Sequence, residues 1–316
     1  MGVQNCFHMN GFFNVYKPAG MSSAAVVAVM RRLTGEKRTG HAGTLDPEAA
    51  GVLPIMTGKA TRLFDFLVDK EKEYEAVCAF GTSTDTQDAT GRVLETGDCY
   101  PDVSTVREKA KELTGEIRQR PSMYSAIKLN GKPLYTRARQ GETVEVPERV
   151  VKVHSIEVTG EEEDHGIALR VKCGKGTYIR TLCNDLGKIC GCPAHMRSLV
   201  RTRSGMFTLD TAITLEEART LAAEGKLYER MLPPDAPLGH LKAADIPAQY
   251  ARMIQAGAKI PAGILGGSLP EETENLRVYL DGAFWGIMHR NGSMLEWKAQ
   301  IAPEKRESET KSEPGR

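Results

Sequence analysis

The chain has 316 residues, 41% hydrophobic and 26% charged, a balance that excludes collagenous, disordered and membrane-embedded classes and leaves room for a large core in two domains. Basic residues exceed acidic ones by a single charge, so bulk composition points to no partner and the charges must be located along the chain. No apolar run approaches the length of a bilayer span, and the opening MGVQNCFHMNGFF lacks a basic stretch followed by an apolar core, so a cytoplasmic protein without membrane contact is expected. Residues 1–10 are expected to be a disordered lead. Residues 11–16 read as a strand ending at Lys17-Pro18, and residues 22–33 as a helix opened by serine. After a glycine-rich loop, Leu63, Phe64 and Leu67 indicate a short helix. It leads into a strand in which Tyr74, Ala76, Cys78 and Phe80 alternate with Glu75, Val77 and Ala79. The turn-rich GTSTDTQDATG precedes a helix over 103–113. Pro133 can open another short helix. Residues 167–173 alternate again, and Ile179, Leu182, Leu186 and Ile189 have helical spacing with Gly191 as the cap. From about residue 239 to 301 short runs broken by glycine and proline predict a small β-rich second domain, after a first domain at 11–238. Residues 302–316 are expected to be a disordered tail.

The charges are segregated. Residues 117–141 hold Arg118, Arg120, Lys128, Lys132, Arg137 and Arg139 with Tyr124 and Tyr135 and no acid, and residues 186–209 hold Lys188, Arg197, Arg201 and Arg203, again without acids. Basic side chains interleaved with aromatics suit a phosphate backbone with exposed bases, although two solvated faces would look the same. The compensating acids Glu161, Glu162, Glu163 and Asp164 fall in a predicted turn. Seven cysteines lack the even framework of a secreted protein, and Cys183, Cys190, Cys192 and His195 match no familiar zinc spacing; no metal is expected.

The most informative stretch is GHAGTLDPEAAGVLP at 40–54. Asp46 precedes Pro47, which biases it to extended backbone, and Gly40, Gly43 and Gly51 permit tight turns around it. By itself this is either a carboxylate held on a stiff loop or an Asp-Pro turn before a strand.

This stretch resembles the signature loop of the tRNA pseudouridine synthase B family. NVYKPAGMSS at 14–23, KEYEA at 72–76, CGKGTYIRTL at 173–182 and RSLVRTRSGMF at 197–207 are similar to that family's other motifs, in the same order. The resemblance implies an α+β pseudouridine synthase fold with a mixed, largely antiparallel sheet flanked by helices, the loop in a central cleft, and a small PUA-like domain at 239–301. It implies isomerisation of the T-loop uridine at position 55 of tRNA by a stand-alone monomeric enzyme, with no obligate protein partner and no cofactor. Asp46 matches the family's catalytic aspartate, acting either as nucleophile or as the base that gives a glycal. Tyr74 matches the tyrosine held against the target base, with a possible share in removing the C5 proton. Tyr178 is implied to contact the base and Arg180 to pair with Asp46. Independently, Arg180 falls in the first turn of its helix, where a cation opposes the helix dipole by roughly 0.3–1 kcal/mol and calls for a carboxylate. His41 matches the histidine that fills the space left by the flipped base, Leu199 an apolar active-site residue, and Arg62 a basic RNA contact. Lys17, Pro18, Gly43 and Leu45 are expected to brace the loop, and residues 117–141 resemble an insertion that grips the T-arm.

Two other classes fit parts of the chain. An RNA-binding factor would not need Asp46, Tyr74, Tyr178 and Arg180 together, and a nucleoside hydrolase would need two carboxylates where the motifs contain one. GKAT at Gly58 and GKGT at Gly174 lack the glycine that a P-loop requires.

Overall fold

The computed structural model describes residues 10–67, 70–125, 127–129, 131–142, 144–265, 271–272 and 274–303. Most of the expected lead and tail lies outside these residues. The chain runs β1 (Gly11–Lys17), α1 (Ser23–Thr34), β2 (Thr39–His41), β3 (Ala50–Thr57), a 3-10 helix (Gly58–Phe66), β4 (Lys72–Phe80), β5 (Thr82–Thr84), β6 (Val93–Thr96), α2 (Val103–Ala110) and β7 (Gly115–Gln119). It continues through the short strands β8 (Lys128–Leu129) and β9 (Lys132–Pro133), α3 (Leu134–Arg139), β10 (Arg149–Glu162), β11 (Gly166–Cys173), α4 (Ile179–Cys190), β12 (Ala194–Ser204), β13 (Phe207–Thr208) and α5 (Leu215–Ala223). The remaining elements are β14 (Lys242–Asp245), α6 (Ala251–Gln255), β15 (Ile260–Pro261), β16 (Asn275–Leu280), β17 (Ala283–Asn291) and β18 (Met294–Gln300).

The main sheet has the order β1-β3-β12-β4-β11-β10-β7, with β2 on β3 and β13 on β12. All its pairings are antiparallel except β3 with β12, so the architecture is mixed α+β. Helices α1, α2 and α4 cover one face of the sheet because their apolar stripes match it. Val26, Met30, Leu182 and Leu186 are fully buried there against Ile55, Cys78 and Leu169, each contributing about 1.5–3 kcal/mol of apolar burial. Ser22 caps α1 by accepting from the Ala25 N–H, and Gly191 ends α4 in the left-handed region at φ 69°.

The second sheet, β14-β16-β17-β18-β15, is built from residues 242–300. It shares a core with the outer face of the first: Phe12, Val52, Met56, Leu63 and Phe207 cluster with Ile287, Ala299 and Ile301.

Three expectations need correction. The basic stretch at 117–141 is not wholly an excursion, because its first residues belong to β7, the edge strand paired with β10. Glu161 and Glu162 end β10 rather than forming a turn. In the basic stretch at 186–209, Arg201 is buried to 1% exposure, and Lys188 and Arg203 are paired with Asp185 and Glu73. Lys188 lies on α4, and a register shift between Arg201 and Arg203 on β12 sets those two charges opposite Tyr74 and Glu73, on opposite faces of the sheet, which a count of basic residues does not register. The short helix at Leu63 is a 3-10 helix that buries Leu63 and Leu67 but leaves Phe64 40% exposed.

Candidate active site

The loop between β2 and β3 carries Asp46, and three residues from distant parts of the chain hold its backbone from beneath. Ser23 Oγ accepts from the Leu45 N–H and donates to the Leu45 carbonyl, both at 2.9 Å. Lys17, fully buried, donates from Nζ to the carbonyls of Pro18 at 2.9 Å, Pro47 at 2.8 Å and Met21. Arg201 donates from Nε to Val52 O at 2.8 Å, from Nη1 to Thr44 O at 3.3 Å and from Nη2 to Gly43 O at 3.0 Å. Residues 43, 44, 45, 47 and 52 are thus tied down while the Asp46 side chain stays 37% exposed.

Two glycines let β12 approach this closely. Gly43 and Gly51 have φ of +103° and +107°, and a Cβ on Gly51 would overlap the Arg201 carbonyl. Gly51→Ala is therefore expected to destabilise the protein by about 2–4 kcal/mol, since both the left-handed backbone and the backbone clash oppose it. Urea denaturation checks this; a change within about 0.5 kcal/mol would show that the β3–β12 contact can open at no cost.

Arg180, the second residue of α4, is 4% exposed and meets Asp46 from the opposite side, with Nε 2.9 Å from Oδ2. No aligned hydrogen bond forms at Nε, so the contact is Coulombic. The rest of the guanidinium is spoken for: Nη1 donates to Thr86 O at 2.9 Å and lies 3.5 Å from Asp88 Oδ2, and Nη2 donates to Tyr124 O at 3.1 Å. Two carboxylates thus answer the cation at the helix start. Asp88 is fixed in turn by Thr86 and Thr90, whose hydroxyls donate to its Oδ1 at 2.7 and 2.6 Å.

Between the loop and the start of α4 lies a cleft of about 250 Å³ lined by Asp46, Lys72, Tyr74, Tyr178, Leu199 and Arg201, among others. Among its described lining residues Asp46 is the one carboxylate. Tyr74 on β4 sits in register with Arg201 on β12, and Leu199 lies two residues before Arg201 on the same face. Burial pushes the Tyr74 phenol above its ordinary value, against the pull of Arg201. A neutral phenol can take part in proton removal only by passing its own proton onward. Tyr178 caps α4, and the buried Gln119 amide clamps its peptide, accepting from the Tyr178 N–H at 3.0 Å and donating to its carbonyl at 3.3 Å. Burial raises the Tyr178 phenol too, with Arg149 opposing.

Other residues singled out in the sequence lie beside the cleft or away from it. His41 ends β2, half-buried, with Nδ1 unpartnered; burial and then Arg201 hold its imidazole below the usual value, so it is neutral at pH 7. Arg62 is exposed on the 3-10 helix and donates to Gln300 O at 2.7 Å, joining that helix to β18 of the second sheet. Sequence reasoning missed Ser23, Gln119, Asp88 and the buried bracing role of Arg201, since their partners lie 22, 59, 92 and 149 positions away in the chain.

Burial brings the Lys17 ammonium down to about 8, with Glu48 and Asp46 pulling it back up. The folded value lies below the unfolded 10.5, so between the two the unfolded chain holds more protons. Burial of Lys17 costs stability below about pH 8, and the cost is relieved as pH rises toward 10.5. The stability of wild type relative to Lys17→Met is expected to be flat below pH 8 and to rise above it. Denaturation of both proteins across that range checks the sign, and a falling difference would contradict it.

Residues 31–179 match the profile of the TruB family pseudouridylate synthase (N terminal domain), and residues 180–238 that of the tRNA pseudouridylate synthase B C-terminal domain. The chain is 42% identical over 280 residues to tRNA pseudouridine synthase B of Alkaliphilus oremlandii, spanning 88% of this chain and 92% of that one. It is 44% identical over 255 residues to the Bacillus licheniformis protein of the same name, spanning 79% and 82%. Its fold is similar to a solved Cbf5-Nop10-Gar1 complex, with a TM-score of 0.68 and 28% identity over 88% of this chain and 78% of that one. The chain belongs to the TruB family of pseudouridylate synthases and is an isomerase. Residues 239–301 fall outside both profiles.

Proposed function

We propose that the chain converts the T-loop uridine at position 55 of tRNA to pseudouridine, as a cytoplasmic monomer without cofactor, with Asp46 as the catalytic carboxylate. The observation that carries the reading is the cleft itself, in which a lone carboxylate faces the buried Arg180 beside the flat wall of Tyr74. A second carboxylate, which a hydrolase would use to activate water, is missing among the described lining residues. The relatives' shared name, tRNA pseudouridine synthase B, supports tRNA as the substrate.

The target base leaves the loop of the RNA and enters the cleft, and neutral His41 fills the stack behind it. Asp46 then either attacks C1′, breaking the N1–C1′ bond and leaving an ester, or removes the C2′ proton as the bond breaks to give a glycal. Uracil turns against Tyr74 and Leu199 without escaping; C5 bonds to C1′ as the ester bond to Asp46 breaks, or, on the glycal route, as Asp46 returns the proton to C2′, and the C5 proton leaves last while N1 ends protonated. Tyr178 borders the base, and Arg180, 2.9 Å from Asp46, keeps its carboxyl group aimed at the sugar. Arg118, Arg120, Lys132 and Arg137, with Arg62 and the second sheet, read as a PUA-like module at 239–301, face the rest of the RNA.

The test is tritium release from a T-arm stem-loop labelled at uracil C5, without metal or cofactor. Release with the RNA chain intact and no free uracil is expected. Free uracil would identify a hydrolase, and tight binding without release a binding factor.

A further inference from the structure

Arg149 opens β10 in register with Gln119 on β7, the residue whose amide clamps the Tyr178 peptide. Its Nη1 comes within 4.0 Å of the point where a side chain on Gly176 would begin. Arg149 therefore stands beside Gly176 in the turn formed by Gly174, Lys175 and Gly176, which lines one rim of the cleft. Its positive charge reaches the Tyr178 phenol.

What sets Arg149 apart is its lack of commitments. Arg180 is bound to two carboxylates and two carbonyls, and Arg201 to three carbonyls. On the neighbouring strand β11 Arg170 pairs with Glu157 and Glu75, and on β12 Arg203 pairs with Glu73. The carboxylate next in sequence, Glu148, is taken by Arg120 at 3.2 Å. The Arg149 side chain makes no hydrogen bond and no ion pair among the described residues, and its Nε is buried without a partner. With its Nε buried, the half-exposed guanidinium presents its two uncommitted Nη groups, and a charged donor pair without a partner in the chain is suited to an anion from outside. A structural arginine would be bonded to carbonyls in the manner of Arg201.

We infer that Arg149 forms a phosphodiester-binding subsite at the mouth of the cleft, gripping a backbone phosphate that flanks the target uridine. The inference rests on the RNA isomerase reading above and deepens it. A nucleotide whose base lies against Tyr74, with C1′ at Asp46, leaves its sugar and flanking phosphates at the rim. Gly174 and Gly176 present bare backbone there, and a planar guanidinium fork matches two phosphate oxygens. The subsite fixes the sugar relative to Asp46, which makes Arg149 a positioning residue for the reaction.

The test combines Arg149→Gln with substrate stem-loops carrying a neutral methylphosphonate at each phosphate flanking the target uridine, in a binding titration over salt. Arg149→Gln is expected to weaken binding about tenfold and to lower the slope of log affinity against log salt by about 0.7. One of the methylphosphonates is expected to weaken wild type similarly and to have little further effect on the variant. Independent, multiplying effects, or a wild type indifferent to both methylphosphonates, would overturn the assignment. If Arg149→Gln does not fold by circular dichroism, Arg149→Lys carries the test: it keeps the salt slope and the sensitivity to the same methylphosphonate, and insensitivity overturns the proposal. Tritium release by wild type from the unmodified stem-loop keeps the two questions apart. No release sinks the uridine reading, whereas release together with independent effects sinks the Arg149 assignment alone.

Discussion

Asp46→Asn is expected to lower tritium release from the stem-loop by on the order of 10³-fold or more, with the fold and RNA affinity close to wild type. The loop backbone is held by Ser23, Lys17 and Arg201 rather than by the Asp46 side chain, so an amide of equal size should leave the loop in place. Arg180 keeps Asp88 at 3.5 Å and its two carbonyls, which limits the loss of stability. The amide can neither attack C1′ nor accept the C2′ proton, and both routes stop. Rates within about tenfold of wild type would move the chemistry to another group, and Asp46 would then be only the partner that keeps Arg180 in position.

Arg180→Lys should cost both activity and stability. The guanidinium serves four groups in three directions, whereas an ammonium on a flexible stem reaches one or two of them. The Thr86 and Tyr124 carbonyls would lose their donors inside the protein, so a loss of about 2–4 kcal/mol is expected in urea denaturation. The rate of tritium release should fall roughly 10²-fold or more as the carboxylate loses its fixed counter-charge, and the effect should appear in kcat more than in KM. A variant of normal stability with only KM raised would instead make Arg180 a contact to RNA. Combining the two substitutions separates these cases, because residues acting as one unit give losses that do not multiply.

The local elements are legible in the order of residues alone. Alternation specified β4 and β11, the stripe of Ile179, Leu182 and Leu186 specified α4, and serine and glycine marked the ends of α1 and α4. The glycines and Asp46-Pro47 identified the loop, since tight turns require those residue types whatever surrounds them. Family motifs then pointed to Arg180 and the tyrosines. The tertiary structure alone decided which charges are buried and which meet. Arg201 and Arg197 look alike in a basic stretch, yet one lies under the Asp46 loop with three carbonyls and the other donates to Glu163 O at the surface. Asp88 reads as one more turn-former until the fold sets it beside Arg180, and Gln119 as a polar strand residue until it clamps Tyr178. Arg149 looks like any strand-end cation until its neighbours prove to be paired elsewhere. Backbone preference is written in a few adjacent residues, whereas pairing inside a low-dielectric core depends on strand order and register, which bring together groups tens to more than a hundred residues apart.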